Sequence, residues 1–128
     1  MMRNRHYQYL FWAAVVVILV SSLIPMSALS TPLAHQDKLQ HAIAYAVLYF
    51  LAVRAYVPPY PNWAVGTIVV LLGGGIEWAQ RFTAYRHGEV LDILANASGV
   101  VLIAILMKLR DRGRDQHSSA QKVYPGEE

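Results

Sequence analysis

Cysteine is absent from this 128-residue chain, which excludes a disulfide scaffold and any zinc site built on thiolates. Charge is scarce as well. Asp, Glu, Lys and Arg together supply 15% of the residues, and they collect at the ends and in short intervals between apolar runs. A water-soluble domain spreads charge along the outer faces of its helices instead. No phosphate loop, GxSxG elbow or dinucleotide glycine fingerprint is present, so no motif asks for a cofactor. The net charge of +3 raises nucleic acid as a partner, but the basic residues form no stripe interleaved with aromatics, which argues against it.

What the chain has in quantity is hydrophobicity, 55% of its residues, gathered into four runs at about 9–24, 39–57, 63–79 and 90–109. Each approaches the roughly 20 residues that cross a hydrocarbon core as a helix. Backbone groups in lipid must be satisfied internally, so the runs read as helices. The expected fold is an all-α membrane protein, a four-helix transmembrane bundle over residues 1–110, followed by a polar tail at 111–128 without periodicity and therefore expected to be disordered. Prolines punctuate the runs: Pro25 and Pro32 bracket a Ser/Thr loop, and Pro58, Pro59 and Pro61 stop the second helix. Tyr7, Tyr9, Trp12, Tyr56, Tyr60 and Trp63 sit near run ends, as interfacial aromatics do.

Orientation follows from the basic residues. Arg3, Arg5, Arg54, Lys108, Arg110, Arg112, Arg114 and Lys122 fall on one side, against Lys38, Arg81 and Arg86 on the other. The positive-inside rule then places both termini in the cytoplasm. A cleavable signal is the rival reading of the first 30 residues, with Ala28-Leu29-Ser30 as the small-residue site, but the apolar run is longer than the 7–15 residues of a typical signal core.

Against this apolar background, the run Glu77 to Gly99 holds Glu77, Gln80, Arg81, Arg86, Asp92 and Asn96. A central Asp, Lys or Arg costs roughly 2.5–3.5 kcal/mol to insert, so such groups pair or line a wet cavity. Asp37, His41 and Tyr45 are spaced four apart and share a helical face, beside Lys38. Glu77, Gln80 and Arg81 share a second face, and Asp92, Asn96 and Gly99 a third. All three stripes lie at the same end of an antiparallel bundle, and the economical arrangement is one outward-facing polar pocket.

Each of these residues has a structural reading beside the functional one. Glu77 is a ligand contact or proton-transfer group, or else the partner of Arg81 or Arg86. His41 is a general base, or a hydrogen-bonded histidine that orients Asp37 or Glu77. With Glu77 and Asp92 it forms a histidine and two carboxylates, a set able to hold a divalent metal. The spacing is unlike HExxH, and no metal is assigned on it. Arg81, Arg86 and Lys38 supply cationic donors for phosphate or carboxylate, or anchor to lipid headgroups. Asn96 and Tyr45 are expected to bond neighbouring helices. Gly73, Gly74 and Gly75 are expected to pack closely against Ala95, Ala97, Ser98 and Gly99.

The pattern Asp37-Lys38-x-x-His41-x-x-x-Tyr45, Glu77-x-x-Gln80, Arg86 and Asp92-x-x-x-Asn96-x-x-Gly99 resembles the VanZ-like family of small multi-pass bacterial membrane proteins. The resemblance covers roughly residues 10–107. It departs at Phe82-Thr83-Ala84-Tyr85, where a Pro-Gly turn belongs. It implies a place in the bacterial cytoplasmic (inner) membrane and an envelope role. Through the family's namesake it also implies a link to glycopeptide resistance of the teicoplanin type. Three functions are compatible with these residues. The first is binding of an anionic lipid-linked or cell-wall-related headgroup by Asp37, Lys38, His41, Tyr45, Glu77, Gln80, Arg81, Arg86, Asp92 and Asn96. The second is hydrolysis or transfer on an envelope lipid, with Glu77 or His41 as base and Arg86 stabilising negative charge. The third is a structural subunit whose polar stripes lock the bundle to support a partner.

Overall fold

Every apolar run forms an α-helix, and the described residues contain four helices and no strand: α1 (Arg5–Leu23), α2 (Ala34–Tyr56), α3 (Asn62–Gln80) and α4 (Val90–Val123). The computed structural model describes the backbone over residues 5–23, 34–57, 59–82 and 90–123, and side chains over 5–22, 36–57, 59–82 and 90–115. The Ser/Thr loop, Pro58, Arg86 and the 28–30 cleavage motif lie outside the described residues.

Proline sets the start of α3. Pro61 sits extended at φ −70° and ψ 149°, and its carbonyl accepts the Ala64 amide at 3.0 Å, opening the helix one residue later. The helix closes at Arg81, whose amide donates to the Trp78 carbonyl at 3.2 Å.

Two boundaries depart from the sequence reading. α2 begins at Ala34, ahead of its apolar run, so Asp37 lies in its first turn, where a carboxylate offsets the helix dipole. α4 runs on to Val123, through residues read from sequence as an unstructured tail. Apolar periodicity does stop there, and the good helix formers Arg112, Arg114, Gln116, Ala120, Gln121 and Lys122 are offset by Gly113, Asp, Ser and His, so propensity alone does not account for the extension.

Of the four, α3 and the Val90–Asp115 part of α4 are long and apolar enough to cross a membrane. α1 starts with Arg5, His6 and Gln8 and α2 with a polar first third, which dilute their apolar character.

The second helix is the hub. It packs against α1, α3 and α4, while α1 and α4 do not touch among the described residues. Its buried Tyr45, Leu48, Tyr49, Ala52 and Val53 meet Phe11 and Val15 of α1, Val65 and Val69 of α3, and Val100 of α4. Glycines permit the closest approaches. A Cβ on Gly99 would collide with the backbone of Ala42, and one on Gly73 would sit 2.7 Å from the Tyr45 ring and 2.9 Å from Asn96 Nδ2. Gly74 and Gly75 face open space. The close packing expected of the triple glycine therefore rests on Gly73 alone, against Tyr45 and Asn96, and Gly99 packs against α2 instead of α3.

The outer surface inverts the usual order. Val17, Val20, Ile43, Ile68, Leu71, Leu94 and Leu102 are each at least half exposed, while Glu77, Gln80, Asp92 and Asn96 are buried.

Candidate functional site

Two helices end and two begin at one end of the bundle, so the polar residues near those termini converge. The opposed helix dipoles largely cancel there, and side chains decide the local charge.

His41 is the centre of the site. Its Nδ1 lies 3.2 Å from Asn96 Oδ1 on α4 and 3.5 Å from Glu77 Oε1 on α3. Its Nε2 faces Asp37 Oδ1, one turn back on α2, at 3.8 Å. Both neighbours of Nδ1 are acceptors, which a proton on that nitrogen satisfies, and Asp37 offers an acceptor to Nε2 as well. One imidazole thus joins three helices and carries a carboxylate on each side.

The fourth polar link is Lys38, whose Nζ donates to Asp92 Oδ1 at 3.3 Å. Lysine was expected at the pocket rim as an anion donor; the structure pairs it with a buried carboxylate. Its flexible stem reaches from the adjacent face of α2 across to α4. Asn96 is fully buried and bonds a neighbouring helix as its sequence position suggests, although its Nδ2 finds no hydrogen-bond acceptor among the described residues.

Beside this cluster lies a pocket of about 120 Å³, walled by Ile18 and Ser22 of α1, Gln40, His41 and Tyr45 of α2, and Glu77 of α3 among others. Asp37 also lines it. Gln80 is buried next to it, and its Nε2 donates to the Ser22 carbonyl at 3.1 Å. Sequence reasoning missed Ser21, Ser22 and Gln40 as lining residues. The one available signal was a pair of serines closing an otherwise apolar run.

The structure brings Asp37, Lys38, His41, Tyr45, Glu77, Gln80, Asp92 and Asn96 to one end. Arg81 caps α3 with an exposed side chain and is not part of the pocket wall. Arg86 lies outside the described residues. The described cluster therefore sets Asp37, Glu77 and Asp92 against the single ammonium of Lys38, and its formal side-chain charge is negative while His41 is neutral.

A second, larger cavity of about 410 Å³ lies nearer the opposite end, between Phe11 and Trp12 of α1, Ala52 and Tyr56 of α2, and Val65, Ile68 and Leu72 of α3. Its walls are almost wholly apolar. Both cavities are flanked by the same three helices.

Comparison with family models, curated proteins and solved structures returned no match to this chain.

Proposed function

We propose that this is a multi-pass protein of the bacterial inner membrane, of VanZ-like type, whose four helices all span the bilayer. Its polar end faces outward and binds a lipid-linked or cell-wall-related headgroup carrying negative charge. The single observation that carries the reading is the inversion of the surface: Glu77, Gln80, Asp92 and Asn96 are buried beside a small pocket, while large aliphatic and aromatic side chains are exposed along the helices. A continuous apolar exterior of this kind is stable against lipid tails and not against water. Ionisable groups kept inside such a bundle are there for pairing or for a ligand.

In this reading the pocket gives the headgroup hydrogen-bonding partners in Glu77, Gln40 and His41. Arg81, exposed where α3 ends, and Arg86 are assigned the phosphate or carboxylate on their sequence pattern alone. A link to glycopeptide resistance belongs to the same proposal and rests on the family resemblance. A second reading, hydrolysis or transfer at the headgroup, is favoured by the placement of His41 between two carboxylates, the arrangement that orients a general base.

Native mass spectrometry of the detergent-extracted protein tests the proposal. Wild type should retain a distinct envelope lipid that Glu77→Gln and Asp92→Asn lose, with circular dichroism unchanged. Identical generic lipids on all three would refute a headgroup site. A released product on incubation with that lipid would select the enzymatic reading.

A further inference from the structure

Asp37, His41 and Asp92 each offer one ligand atom, and these atoms lie within 4.8 Å of one another. They come from two helices, α2 and α4, which the backbone contact at Gly99 and Ala42 holds together. We propose that these three residues form a binding site for a divalent transition-metal ion.

Three features of the cluster support a cation there. The first is the histidine tautomer. Asn96 Oδ1 and Glu77 Oε1 stand at 3.2 and 3.5 Å from Nδ1, and a proton on Nδ1 satisfies both. The Asp37 carboxylate opposite Nε2 then calls for a positive species between them, either a second ring proton or a bound cation. A metal-bound histidine usually donates its other ring N–H to a carboxylate or amide oxygen, the role Glu77 and Asn96 fill here.

The second feature is charge. Among the described residues, the Asp37 and Asp92 carboxylates that offer ligand atoms stand with the one ammonium of Lys38, and the helix dipoles, two of each sense, do not offset the excess negative charge. One divalent ion does. It would also put positive charge beside the pocket, which an anionic headgroup needs and the described pocket wall lacks.

The third is access. Asp37 is about one-third exposed at its side chain, and Asp37 and His41 both border the 120 Å³ pocket, so the ion has an entry path and room for water in its open positions. The donor set of one imidazole and two carboxylates suits zinc or manganese rather than magnesium, which prefers oxygen alone. Around a tetrahedral zinc ion with bonds of about 2.0–2.2 Å, ligand atoms stand about 3.3–3.6 Å apart. Side-chain rotation of Asp37 and Asp92 by about an ångström closes the set to that size.

This set differs from the one considered on sequence. Asp37 replaces Glu77 as a ligand, because Glu77 approaches the imidazole at Nδ1, away from Asp37 and Nε2. Lys38 is the built-in competitor, since its ammonium holds Asp92 Oδ1 at 3.3 Å.

The test is a calorimetric titration of Zn²⁺ into tag-free, EDTA-stripped, detergent-solubilised protein, repeated with Mn²⁺ by electron paramagnetic resonance. Wild type should take up one ion per chain. Asp37→Asn and His41→Gln should each weaken binding tenfold or more, and Lys38→Met should tighten it. Gain of affinity is a result that misfolding does not produce, so the last variant keeps the test decisive if the others unfold. No stoichiometric ion on wild type, equal binding by wild type and both weakened variants, or loss of binding in Lys38→Met would overturn the proposal. Ion binding does not depend on the headgroup reading: an ion retained with no specific lipid would leave this site standing and remove that one.

Discussion

His41 and Asn96, 55 residues apart in sequence, meet with Nδ1 3.2 Å from Oδ1, and this bond fixes the imidazole relative to both α2 and α4. Removing the amide oxygen leaves a buried ring nitrogen without its nearest partner, a loss of about 1–3 kcal/mol when neither water nor another group replaces it. Asn96→Leu should therefore lower the melting temperature in detergent more than Ser98→Ala, whose hydroxyl only bonds back to Ala95 on an exposed face. Equal melting temperatures would show that the bond has no structural weight.

Glycine substitutions separate the close contacts from the open positions. Gly99→Ala forces a Cβ into the Ala42 backbone and should cost about 1–3 kcal/mol through overpacking. Gly74→Ala meets nothing within 4 Å and should leave stability unchanged or raise it by up to about 1 kcal/mol through helix propensity. Paired thermal melts of the two variants check the ordering, and a Gly99→Ala protein as stable as wild type would contradict the packing described.

The absence of cysteine makes topology directly measurable. Single cysteines at Gln36, near the polar end, and at Asp115, far along α4, are both exposed positions. In intact cells a membrane-impermeant maleimide should label Gln36→Cys, and Asp115→Cys only after permeabilisation. Labelling of both from outside, or of neither, would defeat the four-span orientation.

Lys38 and Asp92 permit a charge-swap test. Their ion pair crosses from α2 to α4 with one partner nearly buried. Lys38→Asp should destabilise the bundle by leaving like charges adjacent, and the double variant Lys38→Asp, Asp92→Lys should recover part of that loss. No recovery in the double variant would mean that the pair does not couple the helices.

Part of this arrangement was legible in the sequence because helical spacing is rigid. Asp37, His41 and Tyr45 had to share a face, as did Asp92 and Asn96, and the cost of polar groups among apolar runs demanded that the faces meet. Which atoms pair was not legible. Lys38 stands off the 37–41–45 stripe, and only its long stem and the crossing of α2 with α4 bring it to Asp92. Arg81 follows Glu77 by one turn, yet it caps the helix with its side chain exposed, because a four-residue spacing gives the face and not the depth. The extension of α4 was hidden because residues 111–123 have no apolar period and mix good helix formers with Gly, Asp and Ser. The partner of Gly99 was hidden too, since a residue with no side chain leaves no pattern to read.

The contact at Gly99 has a mechanical consequence. With backbone against backbone, α2 and α4 form a stiff spar, and the other helices pack on it with side chains that also bond backbone carbonyls, as Gln8 does at Ala55. Among the described residues the first helix does not touch α4; it packs on α2 and more lightly on α3, where Gln80 bonds the Ser22 carbonyl, and it walls both cavities. Amide exchange should release α1 well before α2 or α4, and the wall of the polar chamber that yields first is then the one carrying no member of the charged cluster.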